Sequence, residues 1–244
     1  MNDLYERTLL LGSEHVDCFR RLRTSTLFEL LQTASICHTE ELGMGRDKTL
    51  DKGLLWVIAR QYVVIDRMPV YDERITLRSW PGETMRVLFP RYYEILSESG
   101  ETLVRGSAVW SLMDAKERTT AFPDEYGIEI AGVETGRELP YLTRLKTIET
   151  PNRFDFVVPY SYVDLNGHMN NTRYFDLAED HLPAIKAGKL LHKIHTEYSA
   201  EAKRDAILHV AWGEEEGRYY VNGSTEHPCF KMSLTYADQE KNDA

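Results

Sequence analysis

Asp164, Asn166 and His168 occupy alternate positions in YVDLNGHMNNTRYFDLAEDHLP, residues 162–183, and a helix-like run follows at once. An imidazole that titrates near neutrality can give or take a proton. A carboxylate can orient that ring or act as a base itself, and an amide offers donor and acceptor without changing charge. These are the groups needed to direct water at a polarised carbonyl. There is a competing local explanation: Asn166-Gly167 is a strong turn dipeptide and Asp164 suits an Asx-turn, so the stretch also reads as a polar turn ahead of a helix. Metal binding fits poorly, because glycine follows Asn166 where an EF-hand loop differs and no HxxxH or CxxC pattern supports zinc.

The chain carries its own control for this choice, because it is written twice. VDCFRRLRTSTLFELL begins at Val16 and VDLNGHMNNTRYFDLA at Val163, an offset of 147. This offset matches Val-Asp, Phe28 with Phe175, Glu29 with Asp176 and Leu30 with Leu177. Downstream, QYVVIDRMPVYDERITLRSW ending at Trp80 resembles EYSAEAKRDAILHVAW ending at Trp212, and the RYY segment at Arg91 recurs at Arg218. Three matches in one order indicate an internal repeat. The first copy has Asp17, Phe19 and Arg21 where the second has Asp164, Asn166 and His168. A turn therefore needs neither the amide nor the imidazole, and the second copy's additions call for another cause.

Each copy reads as a strand, a helix and several more strands. Thr26 and Glu29 have capping-box spacing, and Leu27, Leu30, Leu31 and Ala34 share a helical stripe. Tyr174, Phe175, Leu177, Ala178 and Leu182 form the second stripe, which Pro183 should kink or end. Trp56, Ile58, Tyr62 and Val64 alternate as a half-buried strand would, as do Phe154, Phe156 and Val158. One helix with about five strands cannot make a parallel α/β domain. The expectation is α+β: two antiparallel sheets, each wrapped around a long helix. Residues 1–124 form the first copy and 153–244 the second. Residues 125–152, which lack sustained periodicity, read as a linker.

Composition bounds the rest. A chain of 244 residues can bury about 70 to 75% of its unfolded surface. No run approaches the ~20 apolar residues of a membrane span, and MNDLYERTLLLGSEH lacks the pattern of a signal peptide, which suggests a cytoplasmic protein. Cys18, Cys37 and Cys229 read as reduced, small buried hydrophobes. A net charge of -10 disfavours general attraction to nucleic acid. Two local basic clusters, Arg20/Arg21/Arg23 and Lys186/Lys189/His192/Lys193, could still receive an acidic partner.

Asp164-Leu-Asn166-Gly-His168-Met-Asn170-Asn171 followed by Tyr174 resembles the D-x-N-x-H-x-N-N-x-x-Y signature of acyl-acyl carrier protein thioesterases. EYSAEAKRDAIL, residues 197–208, resembles a second segment of that family and aligns Glu201 with an active-site glutamate. The likeness covers nearly the whole chain and implies a tandem double hotdog fold. It also implies hydrolysis of fatty acyl thioesters on acyl carrier protein, no metal or organic cofactor, and Asp164, Asn166, His168 and Glu201 as the catalytic network. One departure matters: the cysteine that follows this glutamate in the family is Ala202 here, so a thiolate mechanism at that position is excluded.

On this reading Glu201 is first choice as base, His168 polarises or shuttles a proton, Asn166 positions and Asp164 holds the loop. Direct carboxylate attack through an anhydride is the alternative. A helix starting near Asn170 would aim free N–H groups at the loop as an oxyanion site. Leu27, Leu30, Leu31, Ala34, Trp56 and Ile58 are candidates to line an acyl channel, although core packing explains each of them individually. Lys186, Lys189 and Lys193 are candidates for carrier-protein docking, and a homodimer is compatible with hotdog sheets. An acyl-CoA thioesterase and a non-catalytic acyl-binding module are the competing functions.

Overall fold

The computed structural model describes residues 3–135, 144–186 and 188–237. The chain divides into two compact units, Met1–Leu142 and Thr143–Ala244, and the division falls inside the segment expected to be a linker.

The first unit contains β1 (Tyr5–Leu10), α1 (Thr24–Glu41), β2 (Leu54–Ile65), β3 (Arg74–Pro81), β4 (Leu88–Ser97) and β5 (Thr102–Asp114). Its strands are antiparallel in the order β1-β3-β4-β5-β2. The second unit contains β6 (Asn152–Val157), α2 (Arg173–His181), α3 (Pro183–Lys186), β7 (Leu190–Tyr198), β8 (Ile207–Glu215), β9 (Arg218–Ser224) and β10 (Pro228–Ala237). Its antiparallel order, β6-β8-β9-β10-β7, repeats the first. Among the described residues, every strand pairing within each unit is antiparallel, so no helical crossover is needed.

α1 starts at Thr24 with Arg23 as its cap, two residues before the expected Thr26. The Arg23 guanidinium donates to the Val16 carbonyl, so the start is fixed by a side chain reaching back across the loop and not by a capping box. Leu27, Phe28, Leu31, Ala34 and His38 form the buried stripe. Polar contacts set the helix on β4: Ser35 Oγ lies 2.7 Å from the Tyr93 hydroxyl. Arg91 donates to His38 Nδ1 at 2.7 Å and to Thr39 Oγ1 at 2.9 Å. His38 Nδ1 must therefore be an unprotonated acceptor, since a guanidinium only donates. Arg91 is buried, and that burial pushes its pKa down to about 10.

The long helix expected in each copy is long only in the first. α2 has nine residues; its apolar face, Tyr174, Phe175, Leu177, Ala178 and Leu182, is buried as the stripe predicted. It stops because Leu182, which precedes Pro183, is forced into an extended conformation, and Pro183 opens α3. The start also differs: Thr172 caps α2, while Asn170 Oδ1 accepts the Thr172 N–H and hydroxyl in a preceding turn.

The alternation expected along β2 holds only in part. Ile58 is buried, but beyond it the buried side chains are Gln61, Val63 and Ile65, with Tyr62 and Val64 half-buried. The register against β5 slips between Ile58 and Arg60, and the extra residue in this bulge reverses the face presented. Cys229 is buried and Cys37 half-buried, but Cys18 is exposed because it sits in the turn between Asp17 and Arg21. No helix among the described residues is long and apolar enough to cross a membrane.

Candidate active site

The loop that carries the candidate residues is closed by its own backbone. The Asp164 N–H donates to the His168 carbonyl at 3.0 Å, and the Gly167 N–H returns to the Asp164 carbonyl at 3.0 Å. Asp164 Oδ1 accepts the Asn166 N–H at 2.8 Å, which is the Asx-turn. Gly167 takes φ +79°, a left-handed conformation that glycine enters without penalty.

The first copy builds the same loop. The Asp17 N–H donates to the Arg21 carbonyl at 2.8 Å. Asp17 Oδ1 accepts the Phe19 N–H at 2.9 Å, and Arg20 stands at φ 63° in the place of Gly167. The turn reading is therefore correct for Asp164, whose job in the loop is shared by Asp17. It does not account for His168, because Arg21 serves the same backbone.

Backbone pairing brings the second segment to the loop. The Met169 N–H donates to the Ala202 carbonyl at 2.8 Å, and His168 bridges to Lys203. Glu201 is thereby carried to the imidazole, and His168 Nε2 lies 3.2 Å from Glu201 Oε2. The His168 side chain is 16% exposed and that of Glu201 36%. A carboxylate can only accept, so Nε2 carries the proton in this contact. The first copy again supplies the comparison, since its Leu22 N–H donates to the Pro69 carbonyl at 2.8 Å. Pro69 thus matches Ala202, and Arg21 and Met68 stand where the second copy has His168 and Glu201. The same hydrogen-bonded register pairs Asp72 (φ 66°) with Asp205 (φ 64°), and so places Trp80 opposite Gly213, one residue from the Trp212 suggested by sequence.

The structure thus brings His168 and Glu201 together and gives Asp164 a backbone role. Asn166 is exposed on the loop, with its backbone N–H engaged by Asp164. The helix start lies farther along than expected: Thr172, not Asn170, caps α2. Beside the loop is an open depression of about 670 Å³, lined by Val163, Asp164 and Gly167 and by Lys203, Arg204 and Asp205. Lys203 had no sequence signal of its own; only its backbone pairing with His168 reveals its place.

Among the proposed acyl-lining residues, Leu27, Leu31, Ala34 and Ile58 are buried in the first unit, while Leu30 and Trp56 are half-buried. Trp56 meets Phe89 edge-on at 4.8 Å. In the basic cluster Lys189 and Lys193 are half-buried near the start of β7, and the Lys186 side chain lies outside the described residues. Among the described residues, no group of three or more His, Cys, Asp or Glu is arranged to hold a metal ion.

Known proteins carry the same two halves. Residues 2–130 match the acyl-ACP thioesterase N-terminal domain and residues 145–241 the acyl-ACP thioesterase C-terminal domain. A chloroplastic acyl-[acyl-carrier-protein] hydrolase of Cuphea viscosissima is 26% identical over 227 residues, covering 84% of this chain and 53% of that protein. The chloroplastic palmitoyl-acyl carrier protein thioesterase of Arabidopsis thaliana is 25% identical, covering 84% of this chain and 54% of that protein. The chain therefore spans about half the length of the curated relatives it matches. In fold it is similar to an acyl-ACP thioesterase from Bacteroides thetaiotaomicron (TM-score 0.84, 20% identity, 97% of this chain and 98% of that one). It is also similar to the 12:0-ACP thioesterase from Umbellularia californica (TM-score 0.78, 20% identity, with the same coverage). With both of its domains matched in order on a hotdog-type α+β scaffold, the chain belongs to the acyl-ACP thioesterase family.

Proposed function

We propose that this chain hydrolyses the thioester of a fatty acyl chain borne on acyl carrier protein, releasing free fatty acid and the carrier thiol. The observation that carries this reading is the 3.2 Å contact between His168 Nε2 and Glu201 Oε2, built in only one of two otherwise matching loops. Glu201 takes a proton from water as the water oxygen bonds to the thioester carbon. The tetrahedral oxyanion then collapses and the C–S bond breaks; His168 gives a proton to the departing sulfur and takes back from Glu201, across their contact, the proton that came from water, so both groups end as they began. A positioned base of this kind contributes ~10² to 10⁴ in rate. Asp164 shapes the loop, and exposed Asn166 is the group that would meet the substrate from the solvent side. Ala202 offers no thiol, so water attack needs no covalent cysteine intermediate.

In this reading the tandem double hotdog divides its labour. The first copy, residues 1–124, holds the acyl chain against Leu27, Leu30, Leu31, Ala34, Trp56 and Ile58. The second, residues 153–244, supplies the chemistry, and 125–152 connects them. Each methylene buried in such a channel adds ~0.8 kcal/mol, which gives the chain-length preference its energetic basis. Lys186, Lys189 and Lys193 receive the carrier protein, the protein works in the cytoplasm without a cofactor, and it can pair as a homodimer. The test is a panel of acyl carrier protein thioesters of graded length, scored by liberated acid beside the same acyl groups on coenzyme A. Acid release from the carrier thioesters, lost in folded His168→Ala protein, is the expected result. Preferential turnover of coenzyme A thioesters would move the assignment to an acyl-CoA thioesterase. Acyl binding without acid release would make the chain a binding module.

A further inference from the structure

Two of the N–H donors at the start of α2 are taken by one residue. Asn170 Oδ1 accepts the Thr172 N–H at 2.9 Å and the Thr172 hydroxyl at 2.8 Å, and the Asn170 carbonyl accepts the Arg173 N–H at 2.9 Å. A backbone N–H only donates, so the atom it meets is the amide oxygen, and the orientation of the carboxamide is fixed. Its nitrogen, Nδ2, is thereby turned away from the helix start and makes no hydrogen bond to any described residue. Asn170 is half-buried, so these N–H groups are held in place and still reachable.

The backbone puts this amide on the face of the imidazole. The Met169 N–H donates to the Ala202 carbonyl at 2.8 Å, and the next N–H, that of Asn170, pairs with a different segment, donating to the Tyr162 carbonyl at 2.9 Å. Residues 168–170 thus run extended between two neighbours, bridged to Val163 on one and Lys203 on the other. Side chains alternate along extended chain, so His168 and Asn170 share one face while Met169 is buried on the other. The first copy repeats the backbone but not the amide. Arg23 stands in the matching position: its N–H donates to the His15 carbonyl at 3.0 Å, and its guanidinium reaches back to the Val16 carbonyl. The oriented amide occurs in the copy that has the His168–Glu201 pair.

We propose that Asn170 is a further catalytic residue: its Nδ2–H donors bind the oxyanion that forms when water adds to the thioester carbonyl. As the water oxygen bonds to the carbon, the C=O π pair moves onto the carbonyl oxygen, and Nδ2–H bonds to the charge that develops there. When the C–S bond breaks, that pair returns to the carbonyl and the hydrogen bond relaxes. A donor oriented beforehand needs no reorganisation at that moment, which is the source of its effect. Oδ1 is the anchor and Nδ2 the working atom, so one side chain serves both the helix start and the reaction. The proposal rests on the reading of His168 and Glu201 as the hydrolytic pair.

Two substitutions at this position separate the anchor from the donor. Asn170→Asp keeps an acceptor for Thr172 and removes the N–H groups. Asn170→Ser keeps an oxygen that can cap the turn, adds no charge and has a shorter arm. Thr172→Val is the converse, removing one bond to Oδ1 while Nδ2 stays. The assay uses the full chain, an acyl carrier protein thioester, steady-state kinetics and urea unfolding. Both Asn170 variants should lower kcat ~10²- to 10³-fold with KM within about threefold. Thr172→Val should keep kcat within about fivefold, the worth of a single neutral hydrogen bond. The proposal is overturned if either Asn170 variant folds and retains more than about a tenth of wild-type kcat, or if Thr172→Val loses as much as they do. It is equally overturned if neither Asn170 variant folds, since the residue is then a structural cap alone. If wild type releases no acid or His168→Ala remains active, it is the hydrolytic reading that fails.

Discussion

Replacing Glu201 by glutamine should separate activity from stability, and the structure sets both magnitudes. Glutamine keeps the shape of the side chain and one acceptor oxygen but cannot take a proton from water. Losing a positioned base costs ~10² to 10⁴ in turnover, or about 3 to 5 kcal/mol of barrier at 1.36 kcal/mol per tenfold. The contact it leaves behind is worth far less to the fold. The two side chains are 16% and 36% exposed, and ion pairs that reach solvent contribute roughly 0.2 to 1 kcal/mol. A domain with several kcal/mol in hand stays folded after such a loss. The assay is liberated fatty acid from a carrier-protein thioester, with urea unfolding measured on the same preparation. A Glu201→Gln protein that retains more than half of wild-type turnover would refute the assignment of Glu201 as base. So would an activity loss matched by an equal loss of folded protein.

Three further outcomes follow from the packing. Tyr93→Phe removes a buried hydroxyl 2.7 Å from Ser35 Oγ and 3.4 Å from Trp110 Nε1, and should cost about 1 to 3 kcal/mol in urea unfolding. Gly167→Ala meets no atom within 4 Å and should cost only the left-handed backbone, ~1 to 2 kcal/mol, whereas Gly213→Ala drives its Cβ into the Glu149 carbonyl oxygen and should cost more. Glu73 accepts from Arg67 at 2.6 and 3.0 Å and from the Val70 N–H, and these bonds, Arg67 foremost, hold its carboxyl below the ordinary range. Because the folded value is depressed, the stabilisation is present above the unfolded pKa of about 4.3 and is lost as pH falls through the folded value. The stability difference between wild type and Glu73→Gln should accordingly be flat near neutrality and shrink in acid.

The sequence alone determined the repeat, the antiparallel class, the buried stripe of α2 and the end of that helix at Leu182. Each is a local or periodic property: stripes and alternation come from residue spacing, and Pro183 acts on its immediate neighbour. The resemblance of two sequence segments to one family also placed His168 and Glu201 in a single expected network, although residue types and spacing alone do not join them. Tertiary structure decided what those properties leave open. A single extra residue between Ile58 and Arg60 reversed the buried face of β2, and only the pairing with β5 reveals it. The Asp164 carboxylate, legible as either catalyst or turn former, is engaged with the Asn166 N–H because the loop closes on itself. Glu201 meets His168, 33 positions away in the chain, through the Met169–Ala202 hydrogen bond. A contact of that kind depends on how two distant loops pair, which composition and spacing do not encode.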